Sequence, residues 1–221
     1  MLTFSFAELP GEGDIIALDA EFVSVQEEEA VLGDTGNKIV LRKTRHALAR
    51  VSVIDCRTSK IIIDDHALPK EPVVDYLTRF SGILPGELDP KTSTHHLVTA
   101  RTAYLKLRFL MERGCIFLGH GLPTDFLTVN LFVPPCQIID TVELYHKDRT
   151  RYVSLRFLAN YVLKRDMQQD VHDSVEDSMA AYELYQRANE LITEGTFDKF
   201  LNELYAYGHK TDWRLGVVTP H

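Results

Sequence analysis

One stretch restricts this chain more than any other: IIALDAEFV, residues 15–23, sets two carboxylates inside an otherwise apolar run. The run is short, rich in aliphatic residues and follows the turn signals of LPGEGD, which predicts a buried β-strand. Strand alternation puts Asp19 and Glu21 on one face with Ala17 and Val23, and turns Leu18, Ala20 and Phe22 to the other. Two neighbouring acids on a core strand destabilise the fold or resist ionisation unless a cation neutralises them. The other reading, the solvent face of an edge strand, is disfavoured by the apolar flanks.

The rest of the chain builds a sheet around this strand. A polar, acidic stretch, SVQEEEAVLGDTGNK, follows it, and HALARVSVID and SKIIIDDHAL flank CRTS as two further strands of a meander. Residues 71–81 read as a helix with Pro72 in its first turn. From Ser93 to Glu112 a longer helical pattern lines up Leu97, Ala100, Tyr104, Leu107 and Leu110 or Met111, and Gly114 ends it. CIFLGHG predicts a strand running into a turn, PTDFLTVNLF a short helix, QIIDTVELY a fifth strand, and SLRFLANYVL and SVEDSMAAYELYQRANELI two closing helices. The order β-β-β-α-α-β-α-β-α-α implies an α/β fold. A mixed five-stranded sheet, three strands in a meander and two connected by helices, carries helices against it.

Two more acids stand at helix starts. Asp125 lies in GHGLPTDF, where a Gly-rich turn opens a helix; it reads either as a functional acid or as a first-turn acid complementing the helix dipole. Asp177 falls in line with Ala181, Leu184, Ala188 and Leu191, the stripe that packs inward, although SVED also fits a capping box with Ser174 as cap and Asp177 as its partner at the third helical residue. Asp19, Glu21, Asp125 and Asp177 together make a hard oxygen set suited to Mg²⁺ or Mn²⁺. Two such ions suit in-line displacement at a phosphodiester. His172, five residues before Asp177, has the ordinary pKa of a general base at neutral pH, or is a loop histidine without chemistry.

Composition narrows the class. With 24 basic and 32 acidic side chains the formal charge is −8, which argues against a surface broadly attractive to nucleic acid unless several acids gather at a cation site. Cys56, Cys115 and Cys136 are odd in number and widely spaced, so neither a disulfide framework nor a zinc motif is expected, and a reducing compartment is. The 221 residues suffice for one core, and neither a signal peptide nor a membrane span is expected.

DAE (19–21), Asp125 in its GH-turn block and HDSVED (172–177) resemble the three motifs of the DEDDh family of 3′-5′ exonucleases, of the ribonuclease H-like superfamily. That resemblance implies two divalent ions held by Asp19, Glu21, Asp125 and Asp177, with His172 as general base. Longer blocks, including TAYLKLRFLMERGCIFLGHGLPTDF and SLRFLANYVLKRDMQQDVHDSVEDS, are similar to the nuclease domains of poly(A)-nuclease deadenylation complexes, over roughly residues 14–195. Gly121 and Thr124 stand where many DEDDh members have Asn and Phe, so the Asn contact is lacking here; the deadenylase and related RNA branches share the GH turn with DF. The resemblance implies a cytoplasmic poly(A)-specific 3′-5′ exoribonuclease releasing 5′-AMP, with no membrane partner. In the larger proteins it implies a pseudokinase-like adaptor subunit and, through it, poly(A)-binding protein. Residues 1–221 then form a single exonuclease domain with a core over 14–195 and a C-terminal tail over 196–221.

A 3′-end nuclease needs a basic path. Arg42, Lys43 and Arg45, and Lys147, Arg149 and Arg151, are the candidate clusters; solvated loop charge is the plain alternative. Phe22, His120, Leu122 and Phe126 neighbour the acids and are candidates to stack on or wedge beneath terminal bases, with core packing the other duty of Phe22 and Phe126. Asp140 is expected to support the site or cap the segment after it, and Trp213 has no assignment. The rivals are a DEDDh RNA-processing exonuclease without poly(A) preference, a DNA exonuclease and an inactive RNA-binding module.

Overall fold

The computed structural model describes residues 9–165, 167 and 173–215. The acid-bearing strand, β1 (Ile15–Gln26), is interior to a six-stranded sheet. After it comes a separate hairpin, β2 (Glu29–Leu32) and β3 (Lys38–Arg42), where the sequence suggests only a polar stretch. Every residue of both hairpin strands is exposed, so pairing rather than burial shapes them. β4 (Arg45–Asp55) and β5 (Lys60–Leu68) complete the expected antiparallel meander with β1.

The segment expected as a helix over 71–81 contracts to α1 (Thr78–Ser81). Its earlier part is taken by the edge of β1: Val74 donates to the Ser24 carbonyl at 2.9 Å and Ser24 to that of Asp75 at 2.8 Å. A sixth strand, β6 (Leu97–Thr99), pairs in parallel with the end of β5. Leu97 and Val98 fit helical spacing locally, yet the helix starts only at α2 (Ala100–Glu112), capped by Thr99 Oγ1 accepting from the Thr102 amide. Next come β7 (Ile116–Gly119), α3 (Leu122–Val129), β8 (Ile138–Asp140), α4 (Thr141–Leu144), α5 (Leu155–Leu163), α6 (Ser174–Thr193) and α7 (Phe197–Lys210). The fifth expected strand is thus real but three residues long, since Asp140 turns the chain into α4.

The sheet order is β6-β5-β4-β1-β7-β8, with β7 parallel to β1 and β8 parallel to β7. One face of the sheet packs Ile16, Leu18, Val51 and Val53 against Ala103 and Leu107 of α2 and Leu122 and Phe126 of α3. The opposite face presents Ala17, Ile54 and Leu118 to Ala181 of α6, and the two small alanines let the helix lie close. A third cluster joins Tyr145, Phe157, Leu158 and Leu184 to Leu204 and Tyr205 of α7. Over residues 197–215 the expected C-terminal tail is therefore packed structure, and Trp213 belongs to it, its ring against Gly208 and Phe157. Among the described residues no helix is long and apolar enough to cross a membrane.

The neighbour of β1 changes along its length. β7 pairs only with Ile15, Ile16 and Ala17, and the next backbone partner on that edge is Asp75, opposite Ser24. Between them, among the described residues, the strand runs with β4 alone, leaving a notch in the sheet beside Asp19 and Glu21. Gly119 ends β7 at the notch, because a β-carbon there would stand 2.7 Å from the Leu18 carbonyl oxygen and 2.5 Å from Leu122.

Candidate active site

The alternation read from the sequence holds: Leu18 and Ala20 join the α2–α3 side, and Ala17, with Asp19 and Glu21 in phase, faces α6. Just after Glu21 the register with β4 slips, Glu21 facing Arg50 and Phe22 facing Leu48, so that Ala49 is the extra residue of a bulge. Such bulges re-aim side chains next to functional sites.

Asp177 comes to the pair from α6. It is 6% exposed, in line with the inward stripe, so the packing reading prevails over the capping box. The cap is Asp173, whose Oδ1 accepts from the Val175 amide at 2.9 Å, one residue earlier than SVED suggests. Ser174 is instead buried, its hydroxyl 2.6 Å from that of Ser52 on β4, and this bond pins the start of α6 to the sheet.

One carboxylate oxygen from each of Asp19, Glu21 and Asp177 lies within 4.8 Å of the others. Asp19 feels this most: burial, then Glu21, Asp177 and Asp125, hold its carboxyl well above the usual carboxylate range, against a smaller pull from Arg50. Asp125, in the first turn of α3, stands outside the tight trio and adds to its field. Burial and the charge of Asp140 push its own carboxyl up to about 7. Four acids, three of them crowded and two resisting ionisation, fit the hard-oxygen donor set of a divalent cation.

His172 lies outside the described residues. His120, just after β7, sits with Nδ1 2.9 Å from Thr141 Oγ1, and burial lowers its pKa. Asp140 has both expected duties: its Oδ1 caps α4 through the Val142 amide and accepts from the Gly121 amide, each at 2.9 Å, holding the turn before α3. Phe22 is partly buried against the core. Leu122 and Phe126 correct the expectation of base contact. Leu122 is 0% exposed, Phe126 packs edge-on to Phe117 at 5.5 Å, and both brace α3 from beneath. Arg151 lies over the Trp213 ring at 4.9 Å, Arg149 is exposed at a positive φ, Lys147 donates to Asn202, and Arg45 pairs with Glu71.

Arg50 escaped the sequence reading. Opposite Glu21 on β4, it bonds Asp64 at 2.8 Å and reaches Asp173 at 3.4 Å, bringing a cation to the rim of the acidic group. Its signal lies in the cross-strand register, which one strand alone does not reveal.

Comparison with known proteins agrees with this geometry. The catalytic subunit Pan2 of the PAN2-PAN3 deadenylation complex of Mus musculus is 46% identical over 215 residues, 94% of this chain and 18% of that protein. The chain thus spans less than a fifth of the length of such relatives. Among solved structures, the Saccharomyces cerevisiae Pan2 pseudoubiquitin hydrolase-RNA exonuclease module in complex with A7 RNA superposes with a TM-score of 0.86 at 38% identity, covering 96% of this chain and 34% of that one. The Neurospora crassa Pan2 catalytic unit, protease and nuclease domain, gives a TM-score of 0.79 at 41% identity over 92% of this chain and 31% of that one. These matches carry the ribonuclease H-like mixed sheet that the strand order displays. The exonuclease family RNase T matches residues 16–185, which include all four acids, and the chain belongs to that family.

Proposed function

We propose that residues 1–221 act as a single exonuclease domain, a poly(A)-specific 3′-5′ exoribonuclease that shortens mRNA tails and releases 5′-AMP. The observation that carries this reading is the convergence of the Asp19, Glu21 and Asp177 carboxylates within 4.8 Å, with the Asp19 carboxyl resisting ionisation. The adenine preference is supported by the 46% identity to a deadenylation-complex subunit and by the kinship to a yeast module that holds A7 RNA.

Asp19, Glu21, Asp125 and Asp177 hold two divalent ions, Mg²⁺ or Mn²⁺, which when bound supply charge neutralisation at the phosphate and at the leaving oxygen. The chain's own residues do the rest. Taking up a cation requires Asp19 and Asp125 to shed any proton they retain, and for Asp125 that step strengthens binding as pH rises through about 7. His172, placed by its five-residue offset from Asp177, accepts the proton of the attacking water as the bond from phosphorus to the 3′ oxygen breaks. Phe22 and His120 border the acids and offer ring faces to the terminal bases, while Arg149 and Arg151 guide the strand from the rim. In the cell the domain works in the cytoplasm as part of a larger subunit. That subunit meets a pseudokinase-like adaptor and, through it, poly(A)-binding protein.

The test is a denaturing-gel time course on 5′-labelled RNA ending in adenosines, beside a non-A tail of equal length, with Mg²⁺ or EDTA. A metal-dependent ladder that shortens from the 3′ end and runs faster on the A tail is expected. Equal rates on both tails would move the chain to the RNA-processing exonucleases without poly(A) preference, and no cleavage would sink the enzymatic reading.

A further inference from the structure

A second group of metal-ligating side chains lies apart from the acids. His66 on β5 is 3% exposed, and its ring stacks on that of His95 with centroids 3.9 Å apart and planes 15° from parallel. His95 Nε2 is 3.2 Å from Glu87 Oε1. One ligand atom from each of the three lies within 4.8 Å of the others. We propose that His66, Glu87 and His95 form a transition-metal site of the Zn²⁺ class, with its fourth position open to water, which clips the segment 82–96 to β5.

The donor set argues for the metal. Two imidazoles and a carboxylate are borderline-soft ligands that suit Zn²⁺ and its neighbours, whereas Mg²⁺ asks for oxygen alone. The backbone presets the site: the His66 amide donates to the carbonyl of His96 at 3.0 Å, so the residue next to His95 is tied to β5 before any metal arrives. Asp65, itself buried, anchors the same junction by holding His96 Nδ1 at 2.7 Å and Lys106 Nζ at 2.5 Å. Glu87 is oriented too. Its Oε2 accepts from the Leu84 amide at 2.7 Å, which turns Oε1 towards His95 as a single-oxygen ligand.

The adjustment required is small. Bonds of about 2.1 Å in a tetrahedron put ligand atoms about 3.4 Å apart, so atoms now within 4.8 Å close by ~1 Å each. Parallel rings cannot aim their in-plane lone pairs at one ion, so one imidazole must turn. His95, with 39% of its side chain exposed, is free to do so, and the buried His66 is the fixed partner. The group is distinct from the acids: in the register Glu21 opposite Arg50 opposite His66, it lies two strand spacings, ~10 Å, from Glu21. Arg50 stands between them with its charge taken up by Asp64 and Asp173.

The experiment is a titration of the metal-stripped 221-residue chain with Zn²⁺ by calorimetry, in millimolar Mg²⁺ to occupy the acidic group, with Co²⁺ absorption as a second readout. We expect one equivalent of Zn²⁺, retained in Asp19→Asn and weakened at least about tenfold in His95→Ala. Zn²⁺ should also raise the melting temperature of the parent chain and not that of His95→Ala. Because His95 is on the surface, that variant folds, and its metal-free melting temperature checks this. Absence of the equivalent overturns the proposal. So does unchanged affinity in His95→Ala, including the case where only Asp19→Asn loses the ion.

Discussion

Replacing Asp125 by Asn tests whether the acids are held against their own charge. The Asp125 carboxyl is pushed up to about 7 from an ordinary 3.8, chiefly by burial and then by Asp140. For an acid raised in the folded state, the sign is fixed: stability is complete below pH 3.8 and is lost as pH rises through about 7, where the folded chain must ionise the group. At 1.36 kcal/mol per unit, a rise of about 3 units costs at most about 4 kcal/mol at pH 8, and about 1 kcal/mol at pH 4.5. Asn keeps the shape and has no charge to ionise. In EDTA, urea unfolding of Asp125→Asn should therefore show a gain over the parent of up to about 4 kcal/mol at pH 8 that shrinks to about 1 kcal/mol at pH 4.5. Saturating Mg²⁺ should then stabilise the parent more than the variant, since the ion favours the ionised carboxylate. A variant no more stable than the parent at pH 8, or a gain equal at both pH values, would refute the argument.

Asp19→Ala and Glu21→Ala should each abolish RNA cleavage while leaving far-ultraviolet circular dichroism and urea midpoint near the parent's, because removing one acid from a crowded trio also removes repulsion; near-normal activity in either refutes the metal assignment. Ser174→Ala breaks the buried bond to Ser52 and should cost about 1 kcal/mol in urea unfolding, so an unchanged midpoint would show that the bond does not hold α6. Gly208→Ala would put a β-carbon 2.5 Å from the ring of Trp213, the chain's one tryptophan. The variant should lose about 1–3 kcal/mol and shift its fluorescence to the red, and an unmoved emission spectrum would contradict the packing of α7.

What the sequence discloses and what it hides divide along a physical line. Periodicities are local, so the face shared by Asp19 and Glu21 and the inward stripe through Asp177 were legible from spacing alone. Elements made by pairing are not local. Leu97 and Val98 fit a helical stripe but belong to β6 because the end of β5 offers them partners, and Val74 and Asp75 leave the expected helix for the edge of β1. Trp213 has no assignment from the sequence because its ring meets Phe157, 56 residues earlier on α5, in the cluster with α7. Among the site residues, Leu122 and Phe126 illustrate the same limit: adjacency in the chain to Asp125 says nothing about which side of α3 they occupy, and they occupy the core side. Arg50 is the converse, distant in sequence from Glu21 and opposite it in space.

The notch in β1 also makes the molecule its own sensor. Among the described residues the strand from Asp19 to Val23 is laddered on one edge only, so its amides divide by turns into two kinds. Those aimed at β4 open only with the whole sheet and exchange slowly with deuterium, whereas those aimed into the notch face the space beside the acids. Alternate amides along five residues thus give an unlabelled gauge of occupancy: whatever lodges in the notch slows one set and leaves the other as the internal standard.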